Sequence, residues 1–265
     1  MKSWLHILAL GLALSVLTAG AVETNSNSLP KVDEVLSRVL ERAKAEGRDY
    51  REFRNRYAFT RTRTTETRNG KGALKSQETR KSEHIPKPQP APASVSVPPS
   101  DDSRDHVRVG NDVRPDASGD IKGKAFDQGD FPLTADLVKR FQFTLAGREM
   151  LGTRPALLVD FRPASGNLPV RNLKDRFINR SAGRAWIDEK DFALVKVDLH
   201  LTEPVSVVGG LVGAVRKCNY NFHRERTAEG LWFTAQVDWH LEGRQFLATK
   251  TIDHHEKREQ VRKVW

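Results

Sequence analysis

Alternation of apolar and polar residues constrains this chain more than any other feature. In Leu231–Glu242, the residues Leu231, Phe233, Ala235, Val237, Trp239 and Leu241 share one parity. Thr234, Gln236, Asp238, His240 and Glu242 share the other. Ala182–Leu201 repeats the pattern as a hairpin. A strand through Trp186 and Ile187 runs into a polar turn at Asp188–Asp191, and then Ala193, Val195, Val197, Leu199 and Leu201 alternate with Lys196, Asp198 and His200. Successive side chains of a strand point to opposite faces, so a strict period of two means a sheet that is apolar on one face and wet on the other. Weaker versions recur at Phe141–Ala146, Pro155–Arg162 and Lys217–Arg226, and Gly243 turns the chain into Arg244–Ile252. Short connections at this spacing predict an antiparallel meander.

One stretch breaks the period. After Pro30, the residues Val32, Val35, Leu36, Val39, Leu40 and Ala43 recur at helical spacing, and Gly47 is the expected stop. A second, short helix is expected over Thr134–Lys139. Tyr57–Glu66 and Leu74–His84 predict two strands around the turn Asn69-Gly70-Lys71-Gly72. Their sides are mostly Thr, Arg, Ser and Glu, so this hairpin is expected to project from an edge. About eight or nine strands make a sheet that must curl, and an amphipathic helix is its natural cover. The expected fold is mainly β with few helices (α+β): a strongly curved antiparallel sheet forming a half-open barrel, covered by an N-terminal amphipathic helix.

The ends and the middle of the chain read differently. Lys2, the apolar run Leu5–Leu17 and Ala19-Gly20-Ala21 predict a cleavable signal peptide over residues 1–21, and so export to the periplasm or beyond the cell. Residues 22–30 are expected to be a polar tether, and 31–265 a single domain. Six of the thirteen prolines fall in Pro86–Pro99, and the chain stays polar and aperiodic to about 129. That composition predicts a disordered insertion within the domain. Cys218 is the only cysteine, which excludes an intramolecular disulfide. It lies in a strand-like run and is expected to be a buried thiol.

The formal charge is +10. Arg48–Lys81 holds eleven Lys and Arg against four Asp and Glu. Behind an export signal, such an excess suits anionic lipid or acidic partner proteins better than nucleic acid. It equally suits a solvated face that protects a sheet edge.

Several segments resemble a known family. They are Gly183-Arg184-x-Trp186-Ile187-Asp188, Val195–Leu201, Glu203-Pro204, Gly209-Gly210-Leu211, Gly230-Leu231-Trp232-x-x-Ala235, and the strand end Phe161-Arg162-Pro163. They are similar to the C-terminal half of exported bacterial proteins of the LolA/LolB-like, outer-membrane lipoprotein-sorting superfamily. Leu74–Ile85 is similar to the N-terminal hairpin of its uncharacterised branch. The resemblance covers roughly residues 31–85 and 131–265. It implies a curved antiparallel sheet closed by helices, whose cavity holds acyl chains in the best-known members. This chain departs from those carriers in its long basic hairpin and in its Pro-rich insertion. No cargo-locking residue is carried over.

Signatures of catalysis are missing from the sequence. There is no Gly-x-Ser-x-Gly elbow and no P-loop. Val208–Gly213 lacks the first glycine of a dinucleotide fingerprint and lies between antiparallel strands. His200 and His240 share the polar parity of Asp198 and Asp238, so a metal set would form only if their strands were neighbours. His254 and His255 are expected on opposite faces. Trp265 and the charges of Lys257–Lys263 do not fit the last strand of a membrane-spanning barrel.

The sequence therefore predicts an exported, non-enzymatic, monomeric binding protein without metal or cofactor, peripheral to a membrane at most. Its expected ligand is a lipid or a lipoprotein acyl chain, lined by Trp186, Val197, Leu199, Phe233, Val237 and Trp239. Arg61, Arg63, Arg68 and Lys71 are the candidate contacts to an anionic envelope component. The alternative is an envelope interaction or stress-sensing module that uses this basic hairpin to bind a protein or polysaccharide.

Overall fold

A computed structural model describes residues 28–87, 133–207, 213–245 and 248–265. The expected signal peptide, most of the tether, the Pro-rich insertion and Gly209-Gly210-Leu211 lie outside the described residues. Helix α1 (Val32–Arg56) leads directly into strands β1 (Tyr57–Asn69) and β2 (Leu74–His84). A short helix α2 (Ala135–Val138) precedes β3 (Phe141–Leu151) and β4 (Arg154–Pro163). Helix α3 (Leu173–Ile178) follows, then β5 (Ser181–Asp188), β6 (Leu194–Leu201) and the short β7 (Val205–Val207). Strands β8 (Gly213–Arg226), β9 (Trp232–Gln245) and β10 (Ala248–Lys263) complete the chain.

The described strands form one open antiparallel sheet in the order β2-β1-β10-β9-β8-β6-β5-β4-β3, with β7 paired to β8. The mainly β fold, the single long sheet and the N-terminal helix agree with the sequence expectation. The join is what the sequence did not contain. The N-terminal hairpin does not hang from an edge as a separate arm: β1 pairs with β10 from Tyr57 to Asn69, which leaves β2 as one edge of the described sheet and β3 as the other. The β1–β10 contact thus ties the first strand of the domain to the last. Bulges between Ala58 and Thr60 and between Val215 and Lys217 interrupt the ladders. Such bulges bend strands and increase twist, which a sheet of this breadth needs.

Helix α1 does not stop at Gly47, as the sequence suggested; it continues for more than two further turns. A mid-helix glycine costs only about 1 kcal/mol. Here, tertiary contacts outweigh it. Arg42 donates across Gly47 to Asp49 (2.5 Å). Beyond it Phe53 is fully buried and stacked on Tyr57, Phe59 and Phe233, with centroid separations of 5.3, 5.5 and 4.7 Å. At the other end Val35 and Val39 pack against Leu157, Val159 and Ile187. The helix therefore lies over one end of one sheet face, from β4 and β5 to β9.

Two backbone features hold the hairpin of β5 and β6 in place. Gly183 has no side chain because a Cβ there would lie 2.0 Å from the Asp198 carbonyl oxygen. Phe192 has φ 52, a costly conformation for a bulky residue, yet its ring joins the Val35–Val39 cluster and lies 4.9 Å under the Arg38 guanidinium. At the turn, Asp188 is buried. It accepts two hydrogen bonds from Arg154 (2.5 and 2.7 Å) and others from the backbone of Lys190 and Asp191. Burial opposes ionisation of Asp188, but these donors outweigh it and hold its pKa below the usual carboxylate value. The Asp188–Asp191 turn is thus an organised cap on the hairpin.

Candidate functional site

The ladder registers sort the side chains by face. On the face that α1 touches, one row of directly opposed residues runs Leu145, Val159, Ala185, Val197, Phe222, Val237, Glu256, Arg63, Arg80. The neighbouring row runs Phe143, Phe161, Gly183, Leu199, Tyr220, Trp239, His254, Thr65, Glu78. Each row is almost wholly apolar from β3 to β9 and changes character at β10. With strands about 4.8 Å apart, six strands give an apolar track of roughly 24 Å. The polar part continues on β10, β1 and β2.

Helix α1 covers only one end of this face. Among the described residues, the cluster of Ala185, Val197, Cys218, Phe222, Val237, Trp239, Leu241 and Ile252 takes no side chain from α1. Phe177 of α3 packs against it, as do the partly exposed Phe161, Leu199 and Tyr220. Cys218 is buried there, and burial pushes its thiol pKa up to about 11. It is an apolar wall residue, not a nucleophile at neutral pH.

The polar end of the track is dense in ionised groups. Glu256 is buried. Its carboxylate accepts from Arg61 (2.5 Å), pairs with Arg258 (3.0 Å) and lies 3.7 Å from Arg63. Arg258 also donates to the Thr234 carbonyl and stands 5.9 Å from the Phe59 ring centroid. His254, 6% exposed, stacks on Trp239 at 5.1 Å with its Nδ1 2.8 Å from the Thr65 hydroxyl. Its Nε2 is buried and has no hydrogen-bond partner among the described residues, and the same is true of Nε of Arg61. Burial pushes the His254 pKa below its ordinary value, reinforced by Arg63 and Arg61 against the opposing effect of Glu256.

Five of the six expected lining residues share this face. Val197, Leu199, Val237 and Trp239 lie on the track itself. Phe233 lies under Phe53, inside the helix–sheet core. Trp186 is the correction: it opposes Leu158 and Lys196 on the other face. There its indole donates to Glu149 (2.9 Å) beneath the Lys196 ammonium (4.1 Å). Trp186 and Ile187 are neighbours on β5, so strand alternation alone puts them on opposite faces, and both are buried.

The four expected basic contacts do not form one patch. Arg61 and Arg63 are on the track face beside Glu256. Arg68 opposes Thr251 on the other face and pairs with Glu66, and Lys71 sits in the turn. The signal that could have found Glu256 and His254 was parity. Both continue the apolar parity of Ile252, and polar residues at apolar positions mark a site or a network.

The opposite face is a lattice of paired charges. His240 contacts Asp253 (2.6 Å) and Glu242 (2.8 Å), and His255 pairs with Asp238. Burial alone would lower the His240 pKa, but the two carboxylates outweigh it and the pKa is raised. His200 and His240 are not on neighbouring strands, because β8 lies between them with Asn219 in the same row. Among the described residues, no three His, Cys, Asp or Glu side chains gather as a metal-binding set.

No family model matches the sequence, and no curated protein matches it. Among solved structures, the chain is similar to a LolA superfamily protein from Nitrosomonas europaea at 12% identity and a TM-score of 0.31, over 84% of this chain and 92% of that one. It is similar to a DUF1329 family protein from Desulfovibrio piger at 11% identity and a TM-score of 0.34, over 89% and 94% of the two chains. It is also similar to the MucA/MucB complex structure of Pseudomonas aeruginosa at 8% identity and a TM-score of 0.21, over 84% and 99%.

Proposed function

We propose that this chain is an exported, non-enzymatic binding protein that lays an acyl chain across the strands of its apolar sheet face. One observation carries the reading: the apolar track extends past the end that α1 covers, and Phe143, Phe161, Leu199 and Tyr220 along it keep partial exposure. A sheet face needed only as core would be sealed by its helix. An acyl chain gains about 0.8 kcal/mol per buried methylene, so the track supplies affinity without any directional contact. The track residues offer positioning and burial. The basic-hairpin reading draws less support, because the register separates Arg61 and Arg63 from Arg68 and Lys71.

Native mass spectrometry of the full-length protein purified from its own envelope tests the proposal. The expected result is a mass increment that organic extraction removes and that analyses as an amphiphile. Protein that is consistently bare, and that takes up no acyl ligand in solution, overturns it.

A further inference from the structure

The charged end of the track has the features of a built site. Arg61, Arg63 and Arg258 surround the single carboxylate of Glu256, so the cluster carries more positive charge than it neutralises. His254 lies immediately beside it on the same strand face, two residues away, with burial lowering its pKa. Two polar nitrogens of these side chains, Nε2 of His254 and Nε of Arg61, are buried and have no hydrogen-bond partner among the described residues. Leaving such groups unsatisfied is costly, and both are satisfied by an acceptor oxygen. If the Thr65 hydroxyl donates to Nδ1 of His254, then Nε2 carries the proton and presents a donor. The Arg61 and Arg63 side chains remain 24% and 39% exposed, so the cationic rim is reachable from solvent. Next to it, in the same two rows, Val237 and Trp239 begin the apolar track.

We infer that Arg61, Arg63 and His254 form a subsite for the oxyanion head of an amphiphile whose tail occupies the apolar track. This rests on the acyl-binding reading above and adds the chemical class of ligand: an anionic head, carboxylate or phosphate, in preference to a neutral one. Glu256 has a positioning role. It fixes Arg61 and Arg258 in place and prevents three guanidiniums from repelling one another on one sheet face. Planar, always-charged guanidinium groups suit an oxyanion better than ammonium groups do, and this end of the track carries Arg at all three positions. A charge-assisted contact of this kind also sets direction: the head lies at β10 and β1, and the tail points toward β3.

The test compares two probes with one tail. cis-Parinaric acid and its methyl ester share the fluorescent polyene and differ only in head charge. Full-length protein is expected to bind the acid at least tenfold more tightly than the ester. Arg61→Gln with Arg63→Gln should remove most of that preference while leaving ester affinity within twofold. Circular dichroism and thermal unfolding report whether the variant is folded, and the wild-type comparison decides the matter if it is not. Octyl phosphate displacing the acid more strongly than octanol extends the head class to phosphates; displacement by neither confines it to carboxylates. Equal binding of acid and ester overturns the subsite and leaves the acyl-binding reading standing. Binding of acetate or inorganic phosphate as tightly as the parinaric acid also overturns it, because the tail would then contribute nothing. Binding of neither parinaric probe overturns the acyl-binding reading itself.

Discussion

Replacing Phe53 by Ala tests the coupling of α1 to the sheet. The ring is fully buried, lies nearly parallel to Phe233 at 4.7 Å and also stacks on Tyr57 and Phe59. Phe→Ala in a core costs about 3–5 kcal/mol. Three of its neighbours are anchored in ladders, which limits how far the site can collapse, so the upper half of that range is expected. Taking about 4 kcal/mol, with roughly 2–4 °C per kcal/mol for a domain of this size, Tm should fall by about 8–16 °C. Urea unfolding followed by circular dichroism measures the difference. A double-mutant cycle with Phe233→Leu should return a coupling of about 0.5–1.5 kcal/mol for the stacked pair. Tyr50, exposed on the same half of the helix, is the control, and Tyr50→Ala should change stability by no more than about 0.5 kcal/mol. A Phe53→Ala cost below about 1 kcal/mol, or one equal to that of Tyr50→Ala, would refute docking of the helix beyond Gly47.

Three further outcomes are expected. Gly183→Ala should prevent β5 and β6 from pairing in register, because the added Cβ would meet the Asp198 carbonyl at 2.0 Å; soluble yield and unfolding midpoint report the loss. Cys218, with its thiol pushed to about 11, should resist alkylation by iodoacetamide at neutral pH and react once denaturant is added. Rapid labelling of native protein would place it outside the core. His240 has a raised pKa in the fold, so it binds a proton more tightly there than in the unfolded chain. Its contribution is complete below the unfolded value of about 6.5 and disappears as pH rises through the raised folded value. His240→Gln should therefore lose more stability near about pH 6 than near about pH 8.5, as measured by thermal unfolding at each pH; an equal loss at both would refute the assignment.

Particular residues show how far the sequence could be read. Val237, Trp239 and Leu241 were legible as one face because parity is a local property of a strand. Trp186 and Ile187 are both buried, so their apolar character does not tell which of them faces the track; the pairing of Ala185 with Val159 and Val197 does, and by alternation Trp186 falls on the other face. Gly47 was read as a helix stop because propensity is local, whereas the contact that carries the helix past it comes from Phe233, far away in sequence. Arg61 and Arg63 are legible as basic and, by parity, as lying on the face opposite Arg68; that they meet Glu256 and His254 depends on which strand lies beside β1.

By itself, then, the sequence determined the β class, the apolar parity of each strand and the amphipathic helix, since each of these is encoded within a few neighbouring residues. Only the tertiary structure decided that β1 closes on β10. That pairing depends on a ladder between distant segments, and local patterning does not specify which strands meet. It is also what brings Arg61 and Arg63 to Glu256 and His254, and so gives the apolar track a charged end.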